Sequence, residues 1–341
     1  MRIEEYHFDL PPELIAQHPA PQRDGSRLLV LNRADASIQH LSFADLPSLL
    51  TPRDALALNQ TKVVPARLKG RRLGSVGPVE LLLIRQEGER WLAMGKPARR
   101  LGIGSALEFG EGQLKAQVVA QEGPGRVWVR FETSEVGKLL PALGEIPLPP
   151  YIRRPLEEAD KERYQTVFAR VEGAIAAPTA GLHFTDALLQ QLAAQGTAAV
   201  PVLLHVGPGT FAPVRSADPR EHQLEAEYYR LTEESAALLR QRRQQGGRSV
   251  AVGTTVVRTL ETACEATGEL AAAEGWTAKF IYPPCTFRAV DALVTNFHLP
   301  GSTLLLLVAA FAGRELLLEA YRQAVAARYR FYSYGDAMLI L

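Results

Sequence analysis

Arg248-Ser-Val-Ala-Val-Gly-Thr-Thr-Val-Val-Arg258 decides the fold. A buried-type strand, Arg248 to Val252, stops at Gly253. Thr254 and Thr255 can then cap a helix running to about Ala266, whose Val256, Val257, Leu260 and Ala263 form one stripe at helical spacing. The same order recurs on both sides. Toward the C-terminus, a strand at Ala292 to Thr295 meets the loop Asn296-Phe-His-Leu-Pro-Gly-Ser302 and a helix from Thr303; a helix from Glu315 to Ala327 leads to a terminal strand, Ala337 to Leu341. Toward the N-terminus, Thr185 caps a helix from Asp186 to Gln195 that stops at Gly196, and Thr197 to His205 is another buried-type strand. Thr232 to Gln245 is helical. Strand, glycine-bearing loop and helix in repetition predict an α/β core, whose ligands bind at the carboxyl ends of strands.

The first 66 residues mix short elements: a brief helix at Glu13 to His18 and strands at Arg27 to Asn32 and Ala55 to Leu58. The pattern then changes. Pro78 to Ile84, Arg90 to Gly95, Ala106 to Phe109, Gln113 to Gln121 and Arg126 to Glu132 are short β-rich runs between glycine-bearing turns. Such spacing predicts a small antiparallel barrel or sandwich. Gly144-Glu-Ile-Pro-Leu-Pro-Pro-Tyr151 reads as its exit linker, because prolines stiffen a chain and do not sit in central strands.

The 341 residues are 47% hydrophobic and 22% charged, the balance of a folded soluble protein. Two cysteines exclude a disulfide framework and a cysteine-rich zinc site, and suit a reducing cytoplasm. The longest apolar run, Leu304 to Ala312, is too short for a bilayer, which needs about 20 residues, so no membrane partner is expected. The net charge is +1, but Arg67 to Arg100 holds nine Lys or Arg against three Glu. Arg67, Lys69, Arg71 and Arg72 form one cluster and Lys96, Arg99 and Arg100 another. These read either as a solvated face or as a phosphate-contacting patch.

Two segments carry the chemistry: Pro178-Thr-Ala-Gly-Leu-His-Phe184 and Leu204-His-Val-Gly-Pro-Gly-Thr-Phe211. Each sets a histidine among residues that let a backbone approach a ligand and supply directional polar groups. Gly207-Pro-Gly209-Thr-Phe-Ala212 also matches a dinucleotide-binding pattern, but Pro213 falls where the required helix would continue. The Gly253–Thr255 turn offers free N–H groups and a helix dipole to an anion, with Arg258 in the first turn; the alternative is an ordinary cap with Arg258 in an internal ion pair. His183, His205, His222 and His298 are the acid–base candidates. Their spacings lack the short-range pairs of zinc sites, so no metal is expected. Glu225, Glu227 and Tyr229 alternate along one face of a strand expected over Glu221 to Tyr229. The aromatic run from Tyr329 to Tyr334 reads as a base-stacking surface or as a packed core edge.

Together these segments resemble the S-adenosylmethionine:tRNA ribosyltransferase-isomerase family of queuosine biosynthesis. The resemblance covers Leu14-Ile-Ala-Gln-His-Pro19, Ser26-Arg-Leu-Leu-Val30, Val64-Pro-Ala-Arg-Leu68, Gly144 to Tyr151, Ala177 to Thr185, Leu204 to Phe211, Val252-Gly-Thr-Thr255, Thr295 to Pro300 and Tyr334-Gly-Asp-Ala-Met338. It implies an α/β core (residues 1–66 and 148–341) interrupted by a small antiparallel β-barrel (67–147). It further implies transfer and isomerisation of the ribosyl part of S-adenosylmethionine onto 7-aminomethyl-7-deazaguanine at the tRNA wobble position. Epoxyqueuosine forms, and adenine and methionine are released. S-adenosylmethionine would then be a consumed substrate, with no further cofactor, in a cytoplasmic, monomeric enzyme. Gln60 and the Gln223-Leu-Glu225 stretch depart from the family's pattern, which makes Gln60 and Glu225 poor candidates for indispensable chemistry.

The reaction needs a base for the proton beside the sulfonium and help for departing adenine. His183 or His205 is the expected base, with the other or His298 assisting. Thr179, Gly181, Gly207, Gly209, Thr210, Phe211, Glu227 and Asn296 would contact substrate, and Thr254, Thr255 and Arg258 its methionine carboxylate. The basic clusters would hold the anticodon arm. Two rival readings are a nicotinamide-dependent oxidoreductase built on the Gly207 loop and a non-catalytic RNA-binding protein.

Overall fold

The computed structural model describes residues 1–123, 125–211 and 216–341, with Thr210, Phe211 and Thr267 described by backbone alone. The first strands are β1 (Arg27–Leu31), β2 (Ile38–Ser42), β3 (Ala55–Asn59) and β4 (Thr61–Val63). A second run follows: β5 (Arg67–Arg72), β6 (Pro78–Glu87), β7 (Arg90–Lys96), β8 (Ala106–Phe109), β9 (Leu114–Gly123), β10 (Arg126–Phe131) and the short β11 (Gly144–Glu145). The chain then returns through β12 (Val171–Ala174), β13 (Ala198–Leu204), β14 (Glu227–Leu231), β15 (Ser249–Val252), β16 (Ala273–Thr277), β17 (Ala292–Asn296) and β18 (Ala337–Ile340).

Nine strands make one mixed sheet in the order β16-β14-β13-β3-β15-β17-β18-β1-β2. Its centre, β13-β3-β15-β17, is parallel throughout. Alternate residues of these strands enter different cores: Ala55, Ala57, Ala251 and Leu293 pack on one face, Leu56, Leu58, Val250 and Val294 on the other. Helices Thr254–Thr267, Thr303–Ala312 and Arg314–Ala326 cover the first face. Helix Asp186–Ala194 and Phe184 cover the second. Burial on both faces is why these strands read as continuous apolar runs.

The second run closes on itself. β5 pairs with β6 and also with β8, making a six-stranded antiparallel barrel in the order β5-β6-β7-β10-β9-β8. Gly70 permits the closure, because a Cβ there would lie 2.1 Å from the carbonyl oxygen of Glu108. Leu68, Leu81, Leu107, Phe109, Val118 and Val129 fill the interior, and Leu140 of helix Val136–Leu143 caps it. The chain is thus an α/β core interrupted by a small antiparallel β-barrel. No helix among the described residues is long and apolar enough to cross a membrane.

Three local expectations are corrected. The brief helix at Glu13 to His18 is only a 3-10 turn, Pro12–Leu14, because Ile15 goes extended to bridge Phe331. The strand expected from Glu221 begins only at Glu227, after a 3-10 turn at Pro219–Glu221. Neither Thr254 nor Thr255 caps its helix: the N-cap is Gly253, at a φ of +95°. That left-handed backbone is one glycine adopts without steric cost.

Candidate active site

Because β13, β3, β15 and β17 are parallel, the segments that leave them share one edge of the sheet. Asn59, at the end of β3, is the knot of that edge. Its Nδ2 donates to the Leu204 carbonyl at 2.9 Å and to Thr255 Oγ1 at 3.2 Å, and its Oδ1 accepts from the amides of Leu204 and Thr61. A buried amide satisfied on both ends fixes strand against strand and strand against helix.

Beside this knot a cavity of about 360 Å³ opens between core and barrel. The core contributes Glu172, Gly173, His205, Gly207, Glu227, Tyr228 and Trp276; the barrel contributes Leu83, Ile84, Arg85, Gln86 and Trp91. The volume lies within the range of small-molecule sites. His205 is the imidazole in its wall. Its Nδ1 sits 2.7 Å from Thr61 Oγ1, and its ring stacks on Tyr228 at 5.9 Å. On another side lies Gly173, where a Cβ would come within 2.7 Å of the ring. Burial lowers the His205 pKa, and the Arg230 guanidinium lowers it further. The ring is therefore neutral at pH 7 and able to accept a proton.

Glu227 lies behind the Gly207 loop. Its Oε1 accepts the Gly207 amide at 2.7 Å, and its Oε2 pairs with Arg258 Nη1. Arg258 also donates to the carbonyls of Lys279 and Thr277, at 2.9 and 3.2 Å. The arginine is thus held by internal partners. Thr254 and Thr255 are buried and lie outside the cavity lining.

His183 and His298 occupy different surroundings. His183 is buried, with Nδ1 2.9 Å from Ser26 Oγ and Nε2 3.1 Å from Asn296 Nδ2. Burial lowers its pKa to about 4. It faces a separate recess of about 20 Å³ beside Arg23 and Tyr334. His298 is buried against Thr295 Oγ1 at 2.9 Å, and burial lowers its pKa to about 3. Thr179 and Gly181 belong to the 3-10 turn that leads into His183. His222 packs edge-on against Phe280. The cavity thus brings together His205, Gly207 and Glu227, and its lining leaves out His183, His298 and Asn296. Gly209 packs against Glu225, while the side chains of Thr210 and Phe211, like Pro213, lie outside the described residues. The aromatic run from Tyr329 to Tyr334 is core edge, with Tyr329, Phe331, Tyr332 and Tyr334 buried.

The basic clusters lie on the barrel, along β5 and around the end of β7. Arg67 pairs with Glu80, Lys69 with Glu145 and Arg71 with Glu108, and Arg100 donates to the Pro78 carbonyl. Lys96 and Arg99 are exposed and Arg72 is half-buried. Lys69, Arg71 and Lys96 neighbour the Pro78–Glu80 end of β6, whereas Arg67 lies opposite Leu82 and beside Ala66, at the end that lines the cavity. At about 3.3 Å per residue, Arg71, opposite Pro78, stands roughly 17 Å along the strand from Leu83. Arg126 of β10 forms an ion pair with the core's Glu225 at the cavity.

Sequence reading missed Asn59, Thr61, Gly173, Tyr228 and Trp276. Asn59 and Thr61 flank Gln60, the residue at which that motif departs from the family's pattern. Gly173 carries no local signal, since its role depends on a ring that is distant in the chain. Among the described residues, no group of three or more His, Cys, Asp or Glu is placed to hold a metal ion.

The family described as Queuosine biosynthesis protein matches residues 3–340. A relative from Moorella thermoacetica, named S-adenosylmethionine:tRNA ribosyltransferase-isomerase, is 54% identical over 344 residues, covering 100% of both chains. One of the same name from Symbiobacterium thermophilum is 52% identical over 343 residues, again covering 100% of both. The crystal structure of S-adenosylmethionine tRNA ribosyltransferase from Thermotoga maritima is 39% identical. It covers 99% of this chain and 100% of its own, with a TM-score of 0.57.

Proposed function

The chain belongs to the queuosine biosynthesis family as a ribosyltransferase-isomerase acting on tRNA, and from that premise we propose its finer reaction. The ribosyl group of S-adenosylmethionine is transferred to the amine of 7-aminomethyl-7-deazaguanine at the wobble position and isomerised to an epoxycyclopentanediol. Adenine and methionine leave. The observation that carries this reading is the cavity between core and barrel, with the neutral His205 held in its wall by Thr61.

In this mechanism His205 removes the proton from the carbon beside the sulfonium. The base role has Nδ1–H donate to Thr61 Oγ1, which leaves the Nε2 lone pair for the proton. The electron pair left on C5′ forms a double bond to C4′ as the C4′–O4′ bond breaks, and O4′ becomes the C1′ carbonyl as adenine is expelled and protonated. The tRNA amine then adds to C4′ and loses a proton, the electron pair returned to C5′ closes the carbocycle on C1′, and the resulting C1′ oxygen displaces methionine from C5′ to form the epoxide. Glu227 fixes the Gly207 loop and lines the cavity, where its carboxylate meets the ribose hydroxyls. His183 and His298, engaged with Asn296 and Thr295, hold the strand-end loops rather than touch the reacting atoms. The exposed cations of the barrel hold the RNA backbone away from the cavity.

Adenine release from S-adenosylmethionine, followed with tRNA carrying the modified base and with unmodified tRNA, tests the reading. Release only with the modified tRNA supports it. Binding of tRNA without release would leave an RNA-binding protein, and release independent of tRNA would sink the transfer step. Reduced nicotinamide absorbance unchanged by the protein disposes of the oxidoreductase alternative.

A further inference from the structure

The cavity has an aromatic doorway that the mechanism above does not use. Trp276 is 59% exposed, and it is the aromatic among the large exposed hydrophobic side chains of the described residues. A single exposed apolar side chain is ordinary on a protein surface. This one lines the reaction cavity. It lies on the edge strand β16, directly opposite Tyr228 in the ladder, with the two rings edge to face at 5.9 Å. Tyr228 in turn stacks on His205. Two rings, Trp276 and Tyr228, thus lead from solvent to the imidazole. On the same face of β14 as Tyr228, two residues along, is Arg230, the cation that acts on His205.

A folded RNA cannot enter a cavity of about 360 Å³. Only a splayed nucleotide can, and an unstacked base needs a new stacking partner, which proteins supply with aromatic side chains. We propose that Trp276, backed by Tyr228, is the surface on which the target nucleobase of the RNA stacks as its side-chain amine reaches past His205. The inference rests on the tRNA reading above and assigns that substrate a specific contact. A planar nucleobase is also part of S-adenosylmethionine. The exposure of Trp276 at the mouth favours the RNA base, since a base still joined to a folded RNA is presented from the solvent side.

The test measures binding of an anticodon stem-loop carrying 7-aminomethyl-7-deazaguanine, and of the same stem-loop abasic at that position. It uses the wild-type chain, Trp276→Ala and Trp276→Phe. Binding is followed by fluorescence anisotropy, and the KM for S-adenosylmethionine is measured alongside. Trp276→Ala should weaken the modified stem-loop roughly ten-fold or more. Trp276→Phe should keep most of the affinity, the abasic stem-loop should bind all three proteins alike, and the KM for S-adenosylmethionine should not move. Equal loss on the abasic stem-loop, or none on the modified one, overturns the proposal. A rise in KM for S-adenosylmethionine in place of the RNA effect would give the platform to adenine, which also overturns it. A wild-type chain that binds neither stem-loop sinks the tRNA reading and the platform together, whereas a bound RNA indifferent to Trp276 sinks the platform alone.

Discussion

The loops around His183 and His205 share a composition and end differently. Each joins glycine, proline, threonine and histidine beside a regular element. One turns inward: His183 is locked between Ser26 and Asn296, and burial keeps it neutral down to about pH 4. The other turns toward the barrel, where His205 keeps one hydroxyl partner and borders a cavity. Local sequence sets how polar a loop is, and the neighbouring chain segment decides whether that polarity is structural or chemical. For His205 the deciding neighbours are β12, with Gly173, and the inserted barrel.

The sharpest break of this comparison is replacement of each histidine by alanine. His205→Ala should lower the rate of adenine release by about 10²–10⁴-fold, the range for a lost general base. The wild-type kcat/KM should show an acid limb with a midpoint below 6.5, and the variant should lose it. His183→Ala should instead cost about 1–3 kcal/mol of stability in denaturant unfolding, because buried partners lose their bonds. A large rate loss without lost stability at His183 would erase the distinction.

Next in size is Glu227→Gln. Removing the carboxylate leaves Arg258 buried without its counter-charge, an arrangement that costs about 3–5 kcal/mol. The Tm should fall well before any effect of substrate contact is measurable. Unchanged Tm with lost activity would make Glu227 a purely chemical residue.

A third test uses pH. His183 and His298 fold as neutral imidazoles, with pKa values near 4 and 3 against 6.5 when free. Below 6.5 the unfolded chain takes up protons that the folded chain refuses. Their contribution to stability is therefore whole above pH 6.5 and declines as pH falls toward 4. Urea midpoints from pH 7 to 4 check this, and His183→Ala should flatten part of the slope.

The smallest effect is expected where the barrel meets the core. The Arg126–Glu225 pair is partly exposed, so Glu225→Gln should change stability by no more than about 1 kcal/mol, less at high salt. A larger change would make this contact a principal tie between barrel and core.

Much of the architecture was legible because its signals are local. Buried parallel strands announce themselves as apolar runs, and Thr185, Thr232 and Ser302 cap helices at sequence-readable positions. β5 escaped notice because its outward residues, Arg67, Lys69 and Arg71, read as a charge cluster rather than as the polar half of an alternation. Helix Val136–Leu143 escaped because Pro141 lies inside it. The site was legible as loops but not as contacts. Nothing near Thr61 or Gly173 reveals that each touches His205, and Trp276 becomes informative only when β14 and the cavity lie beside it.

The way the barrel is tied in has a consequence for how the chain folds. Residues 67 and 145 pair in the two-rung ladder of β5 and β11. Paired strands stand about 4.7–4.9 Å apart, so the excursion of about 80 residues leaves and rejoins the core at nearly the same point. Once the barrel has formed, the remaining chain closes what amounts to a short loop, and the entropy of gathering the core's distant segments shrinks accordingly. The insertion thereby shortens the effective contact order of the sheet that surrounds it.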